Sequence, residues 1–128
     1  MSGLPENEWV RIIPLGGLGE IGMNMFVVET TDDMVVIDAG LMFPEEEMLG
    51  IDLVIPDFSY LLEHRVKVLG LILTHGHEDH TGSLPFLLKE LPIPVYGTRL
   101  SLALAAEKIR EQSLDADLRE VAPREPFR

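Results

Sequence analysis

Short apolar blocks separated by turn residues fill the first third of this chain; apolar residues at helical spacing enter only later. Residues 9–15 form an apolar run that predicts a first strand, and the glycines of residues 16–22 break it. Residues 25–30 and 34–38 predict the two strands of a hairpin turning at Thr31-Asp32-Asp33. Residues 41–56 read as irregular, rich in acid and proline. Residues 58–64 predict a short helix with Asp57 as its cap. The block 68–73 reads as a buried strand. A helix follows over 84–91, with Ser83 as N-cap, Pro85 in its first turn, and Leu84, Leu87, Leu88 and Leu91 as its core face. Residues 93–97 predict a strand in which Pro94 marks an edge or a strand start. Thr98 caps a helix to about residue 112, carrying Leu100, Leu104, Ile109 and several alanines, and residues 118–122 open a last strand. Strands first, then strand and helix in alternation, predict a mixed β-sheet flanked by helices, an α+β or α/β layer arrangement.

Composition narrows the setting. Hydrophobic residues make up 46% of 128 residues, enough for one modest domain with a real core. There is no cysteine, which excludes disulfide scaffolds and thiolate metal sites and fits a reducing cytosol. The first eight residues lack the basic and apolar regions of a secretory signal, and no apolar run approaches membrane-spanning length. The expectation is a cytoplasmic protein without membrane contact. A net charge of -12 argues against a freestanding nucleic-acid-binding module, which usually carries a basic face. It does not exclude a nuclease, because bound metal ions supply local positive charge.

The candidate chemistry lies in Thr74-His75-Gly76-His77-Glu78-Asp79-His80-Thr81-Gly82. A lone histidine is more often a structural or solvated group than a ligand. Four ligand-capable groups in six residues are a different matter. In extended chain His75 and His77 project to one side and can grip one ion. Asp79 and His80 point elsewhere and can reach a second. Neutral imidazole with a hard carboxylate suits zinc or manganese. The run starts where a predicted strand ends, and open sheets place ligands there. Glu78 reads as a solvated loop carboxylate, as does the run Glu45-Glu46-Glu47.

Other features weigh less. Gly17, Gly19 and Gly22 spell a formal dinucleotide-binding Gly-x-Gly-x-x-Gly, but a predicted strand follows where that motif needs a helix. Tight turning beside a site is the better reading, with Asn24 bonding inside the turn. Asp38 ends an apolar strand, where an acid is costly unless paired or facing a site. It is either a turn former before Gly40 or a carboxylate that orients a histidine ligand. His64 reads as a surface residue at a helix end.

Asp38 in Ile37-Asp38-Ala39-Gly40, followed by the histidine run, resembles the metallo-β-lactamase superfamily. Residues 15–22, 37–46 and 49–57 are further similar to the ribonuclease J family of its β-CASP branch. The resemblance implies a partial metallo-β-lactamase fold of the αββα type. It implies a two-metal ribonuclease, both 5′-to-3′ exonuclease and endonuclease, that hydrolyses RNA in mRNA decay and rRNA maturation. It assigns His75 and His77 to one Zn2+ or Mn2+, Asp79 and His80 to the other, and a catalytic place beside them to Asp38 and Asp79. Gly50, through its carbonyl, and Asp52 match a structural Ca2+ site. Ser83 stands where many relatives carry glycine. RNA is the implied partner, and a dimer or tetramer the implied state of the full-length protein. Family members carry further metal ligands downstream, yet no histidine follows His80 here. Residues 1–128 are therefore expected to be the amino-terminal part of the domain, ending before the remaining ligands and the β-CASP insertion, and inactive alone. A glyoxalase II-like thioester hydrolase and a non-enzymatic metal-binding module are the competing expectations.

Overall fold

The structure, a computed structural model, describes residues 8–43, 50–51 and 53–128. Six strands form one sheet in sequence order: β1 (Val10–Gly16), β2 (Met25–Thr30), β3 (Met34–Ile37), β4 (Val68–Ile72), β5 (Val95–Gly97) and β6 (Leu118–Glu120). The first three strands pair antiparallel; β3, β4, β5 and β6 pair parallel. Parallel neighbours need crossovers, and helices supply them. They are α1 (Ser59–Glu63), α2 (Glu78–Thr81), α3 (Leu84–Glu90) and α4 (Arg99–Glu111). The mixed sheet with flanking helices is the expected fold class.

Strand alternation sorts the two faces of the sheet. Met25, Val27, Met34, Val36, Leu71 and Val95 are buried against Leu61, Leu84, Leu87, Leu102, Ala105 and Ile109 of the helices. The opposite face is apolar and open. Val10, Ile12 and Phe26 are 58%, 67% and 38% exposed, and Ile12 pairs with Val28 across the β1–β2 ladder. Farther along that face, Val35, Leu69 and Ile72 border a cleft of about 310 Å3 where Phe127 stacks on Tyr96.

Local details refine the expected elements. Asp57 accepts the Ser59 amide at 2.8 Å, so α1 begins one residue later than expected. Ser83 holds the N-cap position of α3, but its hydroxyl makes no cap bond and is buried without a partner among the described residues. Pro94 precedes β5, which lies inside the sheet, so it marks a strand start and not an edge. Thr98 caps α4, its Oγ1 accepting the Ser101 amide at 3.4 Å. The core face of α4 is Leu102, Ala105 and Ile109, whereas Leu100 is 71% exposed. The pattern misleads there because Leu100 and Leu104 sit one helical face away from the sheet. The acidic run at residues 45–47 lies outside the described residues.

A candidate metal centre at the ends of two parallel strands

β3 and β4 end side by side, and both chains continue into the candidate site. Asp38, the first residue after β3, adopts a left-handed φ of 62°. Its amide donates to the Ile72 carbonyl at 2.9 Å, so the strand pairing itself aims the residue. The carboxylate is buried. Oδ1 accepts the Thr74 amide at 2.8 Å, and Oδ2 accepts the Thr74 hydroxyl at 2.7 Å and faces His80 Nδ1 at 2.8 Å. An ionised carboxylate only accepts, so the His80 proton sits on Nδ1 and the Nε2 lone pair is directed away from Asp38. That is the arrangement by which carboxylates orient histidine ligands.

The histidine run ends in helix, not loop. His77 is the extended N-cap of α2, and Asp79 and His80 project from this single turn. The donor atoms of His75, Asp79 and His80 lie within 4.8 Å of one another. The His75 ring stands 3.9 Å from His80 and meets His77 edge-on at 4.8 Å, centroid to centroid. His75 and His77 thus share a side, as extended chain predicts. The tightest grouping nonetheless joins His75 to Asp79 and His80, across the expected division into two pairs. Two imidazoles and a carboxylate, with a third imidazole adjacent, are a donor set that fits zinc or manganese. Gly50 is exposed, with φ 79°, and its expected companion Asp52 lies outside the described residues.

Backbone bonds clamp the ligand turn. Asn24 N donates to the Asp79 carbonyl at 3.0 Å, Ala39 N to that of His80 at 2.8 Å, and Leu41 N to that of Glu78 at 3.3 Å. So close an approach demands glycine at two places. A Cβ on Gly40 would stand 1.8 Å from the Asp79 carbonyl oxygen, and one on Gly82 would stand 2.3 Å from the Leu41 side chain. Gly17, Gly19 and Gly22 all have positive φ and are followed by β2, as the turn reading requires.

Three side chains escaped the sequence reading. Asn24 does not close its own turn: its amide reaches the Asp79 carbonyl at 3.1 Å and lies 3.4 Å from both Asp79 Oδ2 and His80 Nε2. Glu78 opens α2 and does not lie in a loop, and its partly exposed carboxylate pairs with Lys108 of α4. On the same helix, Leu104 packs over Gly76, where an added Cβ would meet its Cδ1 at 2.4 Å. Leu104 stands 28 residues from Gly76, Lys108 stands 30 from Glu78 and Asn24 stands 55 from Asp79, so no local spacing signals them. His64 caps the end of α1, its Nδ1 2.8 Å from the Tyr60 carbonyl.

Similarities to known proteins agree with this geometry. The chain is 53% identical over 114 residues to Ribonuclease J 2 of Staphylococcus aureus (strain MRSA252), covering 89% of this chain and 20% of that protein. It is 48% identical over 114 residues to Ribonuclease J 2 of Staphylococcus saprophyticus, with the same coverage. The chain thus spans about a fifth of the length of these curated relatives. Among solved structures, Rm3 metallo-beta-lactamase superposes with a TM-score of 0.53 at 22% identity, over 91% of this chain and 47% of that one, a likeness of fold. The family model of the metallo-beta-lactamase superfamily matches residues 18–127, and with strand ends, ligand turn and sequence in agreement, the chain belongs to that superfamily.

Proposed function

We propose that this chain is the amino-terminal part of the metallo-β-lactamase domain of a cytoplasmic, metal-dependent ribonuclease of the ribonuclease J type. The observation that carries the reading is the convergence of His75, Asp79 and His80 beside the buried Asp38. The likeness to two Ribonuclease J 2 proteins supports RNA as the substrate. Further ligands and a β-CASP insertion lie in the longer parent, whose second layer covers the open sheet face in an αββα arrangement. The exposed Val10, Ile12 and Phe26 support that, and the chain alone is inactive on RNA. The parent cleaves RNA as a 5′-to-3′ exonuclease and as an endonuclease, in mRNA decay and rRNA maturation. It works as a dimer or tetramer, with a structural Ca2+ at Gly50 and Asp52.

His75, His77, Asp79 and His80 would hold two Zn2+ or Mn2+ ions. Bound there, such ions lower the pKa of water and neutralise charge on the scissile phosphate. The protein's own part is positional. Asp38 keeps the His80 proton on Nδ1 and the ring fixed, Thr74 fixes Asp38 through two hydrogen bonds, and Asn24 fixes Asp79. Base identity does not enter, because the contacts needed for hydrolysis are to phosphate.

The test uses the purified, metal-replete full-length parent with a labelled RNA and, in parallel, a thioester. RNA cleavage that disappears in His77→Ala, at matched folding and metal loading, is the expected result. A parent that spares RNA and hydrolyses the thioester overturns the ribonuclease reading. Survival of near-parental cleavage in His77→Ala overturns the ligand assignment.

A further inference from the structure

We propose that Thr74 is a positioning residue whose hydroxyl links the buried Asp38 carboxylate to His75, so that one acid sets the tautomer of two histidine ligands, His80 directly and His75 through Thr74. The proposal rests on the reading of residues 75–80 as metal donors. Thr74 is the first residue of the run and lies two positions beyond β4. Its side chain is exposed, so it fills no place in the core.

The directions of the bonds follow from the protons each group carries. Thr74 Oγ1 stands 2.7 Å from Asp38 Oδ2 and 3.0 Å from His75 Nδ1. An ionised carboxylate only accepts, so the proton between Oγ1 and Oδ2 belongs to Thr74. Turned towards His75 instead, that proton would leave two oxygen lone pairs facing each other at 2.7 Å. A bond to an ionised acceptor is also the stronger of the two choices. A hydroxyl has one proton, so Oγ1 can then only accept from His75. Accepting requires the His75 proton on Nδ1. Nε2 is left as the nitrogen with a lone pair.

The backbone holds this link in register. Thr74 N donates to Asp38 Oδ1 at 2.8 Å, and Asp38 N donates to the Ile72 carbonyl at 2.9 Å. Asp38 and Thr74 therefore face each other across the ends of two paired parallel strands. Oδ2 serves both histidines, with His80 Nδ1 at 2.8 Å and the Thr74 hydroxyl at 2.7 Å. His77 lies outside the link. Its ring meets His75 edge-on and makes no hydrogen bond among the described residues. Valine is nearly the shape of threonine. At position 74 it removes the hydroxyl and leaves the amide that holds Oδ1, so the link can be cut without moving the strand end.

The experiment compares the full-length parent, Thr74→Val and Thr74→Ser. Metal-free protein labelled with 15N at histidine gives the tautomers by NMR at about pH 8.5, above the ordinary imidazole range. The His75 signals are assigned by their loss in His75→Gln. Calorimetry gives zinc affinity, and melting temperature reports folding. The parent is expected to carry the His75 proton on Nδ1. Thr74→Val moves that proton towards Nε2, leaves His80 on Nδ1, and lowers zinc affinity about 10- to 100-fold. Thr74→Ser keeps the hydroxyl and restores both the His75 tautomer and the affinity. A parent with the His75 proton on Nε2, or Thr74→Val with the parental tautomer and affinity, overturns the proposal. A melting temperature lowered in Thr74→Val with no change in the His75 tautomer makes Thr74 merely structural and overturns it too. A shift in Thr74→Val that Thr74→Ser fails to reverse does the same. A parent that binds no zinc removes the metal reading beneath the proposal, a result distinct from zinc binding that ignores Thr74.

Discussion

Among the described residues two carboxylates are buried, Glu29 and Asp38, at opposite ends of the sheet, and they are partnered in different ways. Glu29, 2% exposed near the end of β2, meets Lys67 Nζ at 2.6 Å, accepts the Tyr60 hydroxyl, and has Arg11 at 3.9 Å. Burial works to raise its pKa. The hydrogen bonds from Lys67 and Tyr60, with the charges of Lys67 and Arg11, outweigh that and hold it below the ordinary glutamate value. Trp9 closes the group, with the Arg11 guanidinium 4.6 Å and Lys67 Nζ 5.2 Å from its ring. Asp38, 4% exposed, has no lysine or arginine partner among the described residues. Its partners are an amide, a hydroxyl and an imidazole, and the Asp79 carboxylate lies just beyond His80. Glu29 has its counter-ion built in and serves as scaffold. The Asp38 end carries acid without a lysine or arginine partner among the described residues, arranged around imidazoles, and the proposed metal would complete it.

The largest effect that would break this contrast is at the scaffold end. Lys67→Met leaves Glu29 buried beside fewer partners and should cost about 3–5 kcal/mol in thermal unfolding, with zinc affinity by calorimetry kept. Next comes Gly40→Ala at the other end. The Cβ has no space against the Asp79 carbonyl, so it should cost about 1–3 kcal/mol and weaken zinc binding together. Lys108→Met is smaller. The Glu78–Lys108 pair is partly exposed, so stability should fall by less than about 1 kcal/mol, while zinc affinity drops a few-fold as the ligand turn loosens. The exchanged pair Glu78→Lys with Lys108→Glu should recover that affinity.

The smallest effect is on pH. Glu29 is lowered in the fold, so its stabilisation is present above the unfolded value of about 4.3 and is lost as pH falls through the folded value. Tyr60 is raised, first by its bond to Glu29 and then by burial. Its stabilisation is present below the unfolded value of about 10 and is lost as pH rises through the folded one. Glu29→Gln should flatten the acid limb of a melting-temperature profile, and Tyr60→Phe the alkaline limb.

Much of the site was legible in the sequence because its main parts are local. Residues 74–82 are contiguous, and Asp38 is conspicuous as an acid at the end of an apolar strand. The hairpin, the parallel strands and α4 also announce themselves through short-range pattern. What stayed hidden is long-range. Asn24 and Lys108 reach the ligand turn only through the fold, and Leu104 looks like core until Gly76 is seen beneath it. Glu29 is the instructive omission. It shares the period of Met25 and Val27 along β2, so alternation alone placed it on the inward face. A buried acid there called for a cation, and Lys67 was available.

The most direct test compares Asp38→Asn with Glu29→Gln in the same full-length protein, measuring zinc affinity by calorimetry and melting temperature together. Asp38→Asn should lose about 10- to 100-fold in affinity with a modest change in melting temperature, because it disturbs the orientation of His80. Glu29→Gln should lower the melting temperature and bind zinc as the parent does. Equal losses of both properties in both variants, or parental zinc affinity in Asp38→Asn, would contradict the division of labour between the two carboxylates.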